Sequence, residues 1–325
     1  MEIRYLSRAN VEKLGISMKE VVEAVDNGFR LKGLGKTEMP PKPGIHPRKD
    51  CFIHAMPAYI QEIESAGIKW VSGYPTNVEK NLPYINGLLI LNDPDTGLPI
   101  AVMDCSWITA MRTGASAGIS AKYLAKKDSS TAGFLGCGTQ ARTSLMALVE
   151  VLPELKNVRC YDLYPEAAKR FIDEMSGKFS HLDFVTCSSP AEMAKGCDVI
   201  VSAIPIVAEP NPPMNEEIFP EGCLAVSLDY DSAWTSGAMK AADKFVSDDI
   251  NQLLTTKAHG VYFAGIPEEI YADIGELAAG KKPGRENDTE RIFSMNMGIA
   301  VDDMATAKII YQKAVEMNIG TMLPL

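Results

Sequence analysis

The segment from Thr131 to Asp162 carries the clearest chemical signal in the chain. An apolar run, Thr131–Leu135, leads into Gly-Cys-Gly-Thr-Gln-Ala at residues 136–141, a G-x-G-x-x-A turn. A helical pattern continues to about residue 150, and a second apolar segment ends on Asp162. Strand, glycine turn, helix, strand and acidic residue in this order are typical of a dinucleotide-binding unit.

Each position of this turn has a physical task. Gly136 permits the tight turn, and Gly138 lets the backbone approach a pyrophosphate. Ala141 lets the helix pack closely on its strand. Thr139 and Gln140 are assigned to the same cofactor site, where the free N–H groups and the positive dipole end of the following helix are expected to bind phosphates without a lysine.

The acidic residue at the end of the second strand predicts the cofactor. Asp162 is placed to accept hydrogen bonds from both ribose hydroxyls, and its charge would repel a 2′-phosphate. We therefore expect NAD rather than NADP, although Arg159 in the same strand leaves NADP as an alternative. Ser202 and Ala203, at the end of the apolar segment 198–204, are also assigned to the cofactor site.

Composition limits the class of protein. At 325 residues two domains are expected, and the net charge of −10 argues against a nucleic-acid partner. No apolar run reaches the roughly 18 residues that a membrane-spanning helix needs. The seven cysteines are scattered singly, which suits a reducing compartment, so we expect a cytoplasmic protein. The four histidines lack metal-ligand spacing, and no metal site is expected.

The pattern along the chain changes near residue 125. Before it we predict one amphipathic helix over residues 11–29, strands at 68–75, 87–91 and 99–104, and a helix at 107–125. The second and third of these strands flank Asn-Asp-Pro-Asp-Thr-Gly, which predicts an antiparallel hairpin. Continuous apolar runs at 183–187, 198–204, 223–229 and 244–249 predict strands of a parallel sheet. Residues 292–317 are predicted to form one long helix.

One motif points elsewhere. Gly-Ala-Ser-Ala-Gly at residues 114–118 satisfies G-x-S-x-G, the nucleophile elbow of hydrolases. An elbow requires a strand, a sharp turn and then a helix, whereas this segment is predicted to lie inside a helix. We therefore do not expect hydrolase chemistry.

Five motifs spread over the chain resemble the ornithine cyclodeaminase/mu-crystallin family. They are Met-Pro-Ala-Tyr at 56–59, Gly-Ile-Lys-Trp-Val-Ser-Gly at 67–73, Met-Arg-Thr-Gly-Ala at 111–115, the glycine turn at 136–142, and Gly-Lys-Lys-Pro-Gly-Arg at 280–285. The resemblance implies an α/β fold in which a Rossmann domain, residues 126–303, is inserted into a discontinuous α+β domain. That second domain, residues 1–125 and 304–325, would bind substrate and form a homodimer.

The resemblance also implies which residues bind substrate. Lys69 matches the substrate-binding lysine of the family and is also assigned to catalysis. Arg112 matches an arginine that clamps a carboxylate, with Thr113 near the cofactor phosphates. From the residues alone, both cations would equally suit a solvated surface. The resemblance implies a third substrate-binding cation from the loop before the Met-Pro-Ala-Tyr motif, where Lys42 and Arg48 are the two alternatives.

Asp229 matches the catalytic aspartate of the family. It ends the predicted strand 223–229 at the carboxyl edge of the predicted sheet, where a carboxylate can bind an ammonium or iminium group and transfer its proton. Asp231 is the alternative. Cyclodeaminases continue from this aspartate with a lysine and a glutamate that are absent here, since residues 230–235 are Tyr-Asp-Ser-Ala-Trp-Thr. We expect Tyr230 and Trp234 to restrict the pocket to a short or differently shaped substrate.

Members of the family act on small α-amino or α-imino acids with a bound nicotinamide. The resemblance therefore predicts an NAD(H)-dependent oxidoreductase that interconverts an α-imino acid and an α-amino acid. An ornithine-cyclodeaminase-type ammonia lyase is the alternative enzyme. A ligand-binding protein in the manner of mu-crystallin is the alternative without catalysis.

Overall fold

The computed structural model describes all 325 residues. It contains sixteen strands, namely β1 Glu2–Leu6, β2 Thr37–Glu38, β3 Gly44–Ile45, β4 Phe52–Ile60, β5 Ser65–Gly73, β6 Ile85–Asn92, β7 Pro99–Asp104, β8 Thr131–Leu135, β9 Asn157–Tyr161, β10 Asp183–Thr186, β11 Val199–Ser202, β12 Leu224–Ser227, β13 Lys244–Ser247, β14 Ala272–Asp273, β15 Ile292–Met295 and β16 Thr321–Pro324.

Ten α-helices accompany these strands, with one 3₁₀ helix over Pro75–Lys80. They are α1 Arg8–Lys13, α2 Met18–Gly33, α3 Ser106–Leu124, α4 Thr139–Val151, α5 Pro165–Lys178, α6 Pro190–Ala194, α7 Ser236–Lys240, α8 Ile250–Ala258, α9 Ile274–Ala278 and α10 Ala300–Glu316. None of the helices combines the length and the hydropathy that crossing a bilayer requires.

The chain forms two units, one of residues 1–112 and 299–325 and the other of residues 113–298. The boundaries differ from those expected near residues 125 and 303. The first boundary falls inside α3, since residues up to Arg112 belong to the first unit and residues from Thr113 belong to the second. The first unit is discontinuous along the chain.

The first unit is built on one eight-stranded sheet. Its order is β16-β1-β7-β6-β5-β4-β2, with β3 also pairing with β4. Only β1 and β7 run parallel. The predicted hairpin of β6 and β7 is confirmed. Helix α10 packs on β4, β5 and β6, and α2 packs on α10 and on β4, so both helices lie on one face of this sheet.

The amino-terminal helical segment is two helices rather than one. Gly15 adopts a φ of 62° and ends the first helical stretch. Ser7 and Ser17 then each form a capping box at the start of a helix. Each serine accepts a hydrogen bond from a free backbone N–H group and so allows a new helix to start. The apolar period runs on across the break, and it therefore predicted a single helix.

The second unit contains a fully parallel sheet. Its order is β10-β9-β8-β11-β12-β15-β13-β14. The order reverses between β8 and β11, which is the switch point of a doubly wound Rossmann-type fold. The predicted fold class is confirmed, and strands β11, β12 and β13 are buried throughout, as their apolar runs indicated. Strand β10 was expected to be covered on both faces as well, but it lies at the edge of the sheet and is largely exposed.

The prediction of one long helix over residues 292–317 is wrong at its start. Ile292–Met295 is strand β15, which pairs in parallel with both β12 and β13. Gly298 adopts a φ of 78°, and α10 begins only at Ala300. A four-residue apolar run has no period long enough to separate a buried strand from a buried helix, and only the sheet decides between them.

The G-x-S-x-G segment lies in the middle of α3, so the elbow geometry is absent. Its glycines serve helix packing instead. A Cβ on Gly114 would collide with the Thr143 backbone of α4, and a Cβ on Gly118 would lie 2.8 Å from the Ala147 Cβ. The Ser116 hydroxyl accepts a hydrogen bond from Asn296 Nδ2 at 2.9 Å and is buried.

Close packing of α3 on α4 gives a stability prediction. Gly114→Ala should lower the free energy of unfolding by about 1–3 kcal/mol, because the new methyl group overlaps backbone atoms. Gly177→Ala in α5 is the matched control, since a Cβ there meets no atom within 4 Å, and it should be neutral or stabilise by up to about 1 kcal/mol. Urea denaturation checks both; equal effects of the two variants would contradict the packing.

Candidate functional site

Three ionised side chains meet inside the first unit. Lys69 Nζ lies 2.7 Å from Asp303 Oδ1. Arg112 Nε lies 3.0 Å from the same oxygen. Lys69 and Asp303 are completely buried and Arg112 is 6% exposed. Burying charges is costly unless they are paired, so this group, called the buried ion triad below, marks a candidate site.

The sheet and α10 hold the triad in register. Lys69 lies in the middle of β5, directly opposite Met56 of β4 and Leu89 of β6. Asp303 lies in the first turn of α10, where the helix dipole favours negative charge. The Ser65 hydroxyl donates to the carbonyl of the residue after Asp303 at 2.8 Å and so fastens β5 to this turn.

Burial and like charge both act on Lys69. Loss of hydration on burial is the larger cause, and repulsion from Arg112 adds to it; together they lower the pKa of the Lys69 ammonium group to about 8, while Asp303 opposes this change. Burial also raises the pKa of the nearby Cys105 thiol to about 11. At neutral pH the lysine is therefore charged and the thiol is not.

A histidine that the sequence motifs do not single out lies beside the triad. His54 of β4 is on the same sheet face as Lys69, and its ring stacks on Phe52 with centroids 4.4 Å apart. Burial, with Lys42, His46 and Lys69, lowers the pKa of the imidazole to about 3. The neutral ring can therefore donate one hydrogen bond and accept another.

The structure distinguishes the two loop cations. Lys42 is half-buried, and its charge acts on His54. Arg48 is exposed, and its guanidinium donates to the carbonyl of Pro47 at 2.7 Å. Of the two alternatives, Lys42 is thus the one that lies near this part of the sheet.

The triad has unused hydrogen-bonding capacity. Arg112 Nη1 and Asp303 Oδ2 are buried and have no hydrogen-bond partner. A buried unsatisfied donor is costly, and an anion is the ligand that best satisfies a guanidinium. With two positive charges and one negative charge, the triad suits one carboxylate.

In the second unit, the glycine turn follows β8 at the carboxyl edge of the sheet. Gly136 has a φ of 86°, and a Cβ there would lie 2.6 Å from the Ala203 carbonyl oxygen, so glycine is required. Gly138 is the N-cap of α4 and provides no capping side chain. A Cβ on Gly138 would meet no atom within 4 Å. The first turn of α4, Thr139 to Ala141, therefore keeps N–H groups beside open space, as a phosphate site needs.

Asp162, the acidic residue expected to contact the ribose hydroxyls, lies directly after β9 and beside the glycine turn. Asp162 is half-buried, and its carboxylate accepts from Cys137 N at 2.8 Å and from Tyr164 N at 2.9 Å. The guanidinium of Arg159 instead donates to the carbonyls of Glu192 and Met193, so it is held against α6. These residues fit a dinucleotide whose ribose carries hydroxyls rather than a 2′-phosphate.

The other predicted cofactor residues are placed differently. Ser202 is completely buried, and its hydroxyl donates to Asp229 at 2.8 Å. Ala203 and Thr113 are half-buried, and Thr113 follows Arg112 in α3. Of these, Ala203 lies directly against the glycine turn.

Asp229 is completely buried just after β12. Its Oδ1 accepts hydrogen bonds from the hydroxyls of Ser202 and Ser227, each at 2.8 Å. Its Oδ2 accepts from Ile204 N at 2.9 Å. Burial raises the pKa of this carboxyl to about 6 even though these hydrogen bonds oppose the change. Asp231 is bonded elsewhere, to Phe263 N at 2.7 Å.

The two aromatic residues of the segment 230–235, where this chain departs from the cyclodeaminase pattern, have structural roles. Trp234 is completely buried and packs on Phe219 and Phe293, so it does not line a pocket as expected. Its Nε1 donates to Ser202 at 3.0 Å and thus supports the hydroxyl that holds Asp229. Tyr230 adopts a φ of 59°, a strained conformation directly after that carboxylate.

A fully parallel doubly wound sheet with a glycine turn at its carboxyl edge defines a Rossmann-type dinucleotide-binding unit. The sequence model of the ornithine cyclodeaminase/mu-crystallin family matches residues 2–318. The chain belongs to this family, as its motifs predicted.

Three relatives resemble the chain over its whole length. Alanine dehydrogenase of Archaeoglobus fulgidus is 39% identical over 333 residues, which cover 99% of this chain and 98% of that protein. The Δ¹-pyrroline-2-carboxylate reductase of Thermococcus litoralis, solved with NADH and L-proline, is 36% identical with a TM-score of 0.88, covering 98% and 99%. An archaeal alanine dehydrogenase dimer with bound NAD is 37% identical with a TM-score of 0.88 and covers 100% of both chains.

Sequence reasoning missed Asp303 and His54. Asp303 is 234 residues from Lys69 along the chain, so no local spacing connects them. A signal was nevertheless present, since Asp302 and Asp303 interrupt the otherwise apolar segment 299–305. His54 lies two residues before the Met-Pro-Ala-Tyr motif, on a strand that was not predicted.

The raised pKa of Asp229 predicts a pH-dependent stability. The unfolded carboxyl ionises near 3.8 and the folded one near 6, so the folded state binds more protons between these values. The free energy of unfolding should therefore fall by about 3 kcal/mol as pH rises from about 4 to about 6. In Asp229→Asn this part of the fall should disappear.

Urea denaturation at a series of pH values measures the difference between wild type and variant. Asp183→Asn, which changes an exposed carboxylate in β10, should follow the wild-type curve. A wild-type-minus-Asp229→Asn difference that stays constant from pH 4 to pH 7 would rule out this assignment.

Proposed function

We propose that the protein is an NAD(H)-dependent oxidoreductase that interconverts a small α-imino acid and the corresponding α-amino acid. The observation that carries the proposal is the buried cationic pair, Lys69 and Arg112, in a chain that also has a complete dinucleotide turn. Relatives that match over their whole length are named alanine dehydrogenase and Δ¹-pyrroline-2-carboxylate reductase. Both substrates combine a carboxylate with a C–N bond at the adjacent carbon.

Lys69 and Arg112 bind the substrate carboxylate. The unsatisfied Arg112 Nη1 provides a donor that the protein itself does not use. The planar guanidinium offers paired donors, and the lysine adds a compact charge. Lys42 is the third cation, because its charge already acts on His54 beside the triad.

The glycine turn and Asp162 hold NAD(H). The first turn of α4 binds the pyrophosphate, and Asp162 accepts from the ribose hydroxyls. When bound, the dihydronicotinamide supplies the hydride, so that imine, NADH and one proton give amine and NAD⁺. The position of Arg159 against α6 favours NAD over NADP.

Asp229 holds the proton that the substrate nitrogen gains or loses. A pKa near 6 lets a carboxyl exchange protons close to neutral pH. The hydroxyls of Ser202 and Ser227 fix its orientation. Asp231 is the less favoured choice, since its Oδ2 is engaged by the Phe263 backbone.

The protein is further proposed to be a cytoplasmic homodimer. All seven cysteines are buried free thiols, which suits a reducing compartment. The sheet face of the first unit that α2 and α10 do not cover is apolar, with Trp70 48%, Leu88 46% and Ile90 36% exposed. A contiguous apolar patch of this kind is typical of a protein interface. One archaeal relative was solved as a dimer.

Absorbance at 340 nm tests the proposed reaction. NADH and NADPH are each paired with pyruvate, glyoxylate or oxaloacetate plus ammonia or methylamine, and with cyclic imines. We expect net oxidation of NADH by at least one imine. Ammonia release from ornithine without net NADH change would instead identify a cyclodeaminase, and binding without turnover would identify a ligand-binding protein.

Variants then test the carboxylate site. Lys69→Met and Arg112→Lys should each lower kcat/KM by at least about 100-fold, because each loses part of the clamp. The NADH dissociation constant, measured by fluorescence, should stay within about twofold. Lys19→Met, on the exposed face of α2, is the control and should keep wild-type kinetics. Wild-type turnover in either site variant would show that the clamp is wrongly placed.

Light scattering during size-exclusion chromatography tests the dimer. Leu88→Lys should convert the wild-type dimer to a monomer at micromolar concentration, because a buried unpaired charge opposes association. Leu163→Lys, which changes an apolar side chain that is 75% exposed in the second unit, should remain dimeric. A Leu88→Lys protein with unchanged mass would exclude this sheet face as the interface.

A further inference from the structure

The carboxylate of Asp303 has a role that goes beyond structural pairing. We propose that Asp303 is the positioning residue of the substrate site: it brings Lys69 and Arg112 together and keeps Lys69 charged. The inference rests on the proposed function, because it assigns substrate binding to these two cations. Asp303 is not assigned contact with the substrate.

The geometry of the triad supports the positioning role. Both cations donate to the same oxygen, Oδ1, at 2.7 and 3.0 Å. Two like charges held this close repel each other, and in a buried place water screens them little. The shared oxygen therefore fixes Lys69 Nζ and Arg112 Nε as a pair. Because Arg112 Nη1 is unsatisfied, the pair still has a donor for a ligand.

The titratable groups that face Lys69 come from four elements of the structure. Arg112 approaches from α3, Asp303 from α10, Cys105 from the end of β7 and His54 from β4. The thiol is neutral because its pKa is raised to about 11. The imidazole is neutral because its pKa is lowered to about 3. The remaining charges are two positive and one negative, so a single carboxylate neutralises the triad.

Loss of the Asp303 charge should change the protonation of Lys69. Asp303 raises the pKa of Lys69 through its charge and its hydrogen bond, whereas burial and Arg112 lower it. Without that charge the lysine loses its proton at lower pH. In the pH profile of kcat/KM, activity should fall at alkaline pH as Lys69 loses its proton; this fall is the alkaline limb. Without Asp303 its midpoint should move from about pH 8 to about pH 7 or below, since a close opposite charge changes a pKa by roughly 1–3 units.

The test compares wild type with Asp303→Asn and Asp303→Glu in the full-length protein. Asp303→Asn keeps the shape and removes the charge, and we expect its alkaline limb to shift down by about one pH unit or more. Asp303→Glu keeps the charge and displaces it, so its limb should stay in place while kcat/KM falls by about 10- to 100-fold. Ser65→Ala is the structural control. It removes a neighbouring hydrogen bond between β5 and α10 and should lower Tm without moving the limb.

A direct titration separates this inference from the proposed reaction. The ¹³Cε shift of Lys69, assigned by its absence in Lys69→Met, reports the pKa of the lysine without any turnover. If no imine is reduced by wild type, the proposed reaction fails, yet the titration still decides on Asp303. An unchanged Lys69 pKa in Asp303→Asn overturns the inference. So does wild-type kcat/KM in Asp303→Glu, which remains informative if Asp303→Asn fails to fold.

Discussion

The hydrogen bonds from Lys69 and Arg112 to one carboxylate oxygen of Asp303 constrain the first unit. A lysine in the centre of a buried sheet face is tolerable only if a counter-ion reaches it. That counter-ion comes from α10, which must cross the sheet with its first turn over β5. The hydroxyl of Ser65 and the apolar packing of α10 on β4 and β5 maintain this placement. This pairing offsets the cost of burying the charges, and it leaves Arg112 Nη1 without a hydrogen-bond partner, so that this nitrogen can donate to an anion.

The candidate site of the second unit uses neutral hydrogen-bond donors rather than ion pairs. Its glycine turn presents backbone N–H groups of α4, which can bind a phosphate without a cation. The buried Asp229, by contrast, has no cationic partner among its hydrogen bonds and is held by Ser202, Ser227 and a backbone N–H. Three neutral donors offset only part of the cost of burial, and the pKa of the carboxyl rises to about 6. Burial among neutral donors thus raises the pKa of this carboxyl, whereas the triad pairs its charges.

Elements with a clear period or a cap were predictable, and elements defined by their neighbours were not. The helices α3 and α4, the hairpin of β6 and β7 and the strands around the glycine turn lie where the pattern places them. Ile292–Met295 was predicted as helix, although the sheet makes it a strand between β12 and β13. The amino-terminal segment was predicted as one helix, because its apolar period continues across Gly15.

By itself the sequence determined the dinucleotide turn, the family and the identity of Lys69, Arg112 and Asp229 as residues of interest. Each of these depends on contiguous motifs, and local spacing fixes local geometry. Only the tertiary structure decided that Asp303 joins Lys69 and Arg112, from positions 234 and 191 residues away. It also placed Lys42 rather than Arg48 near His54, and Trp234 in the core. Such contacts depend on which sheet face a helix covers, and that is determined by packing across the whole unit rather than by neighbours in the chain.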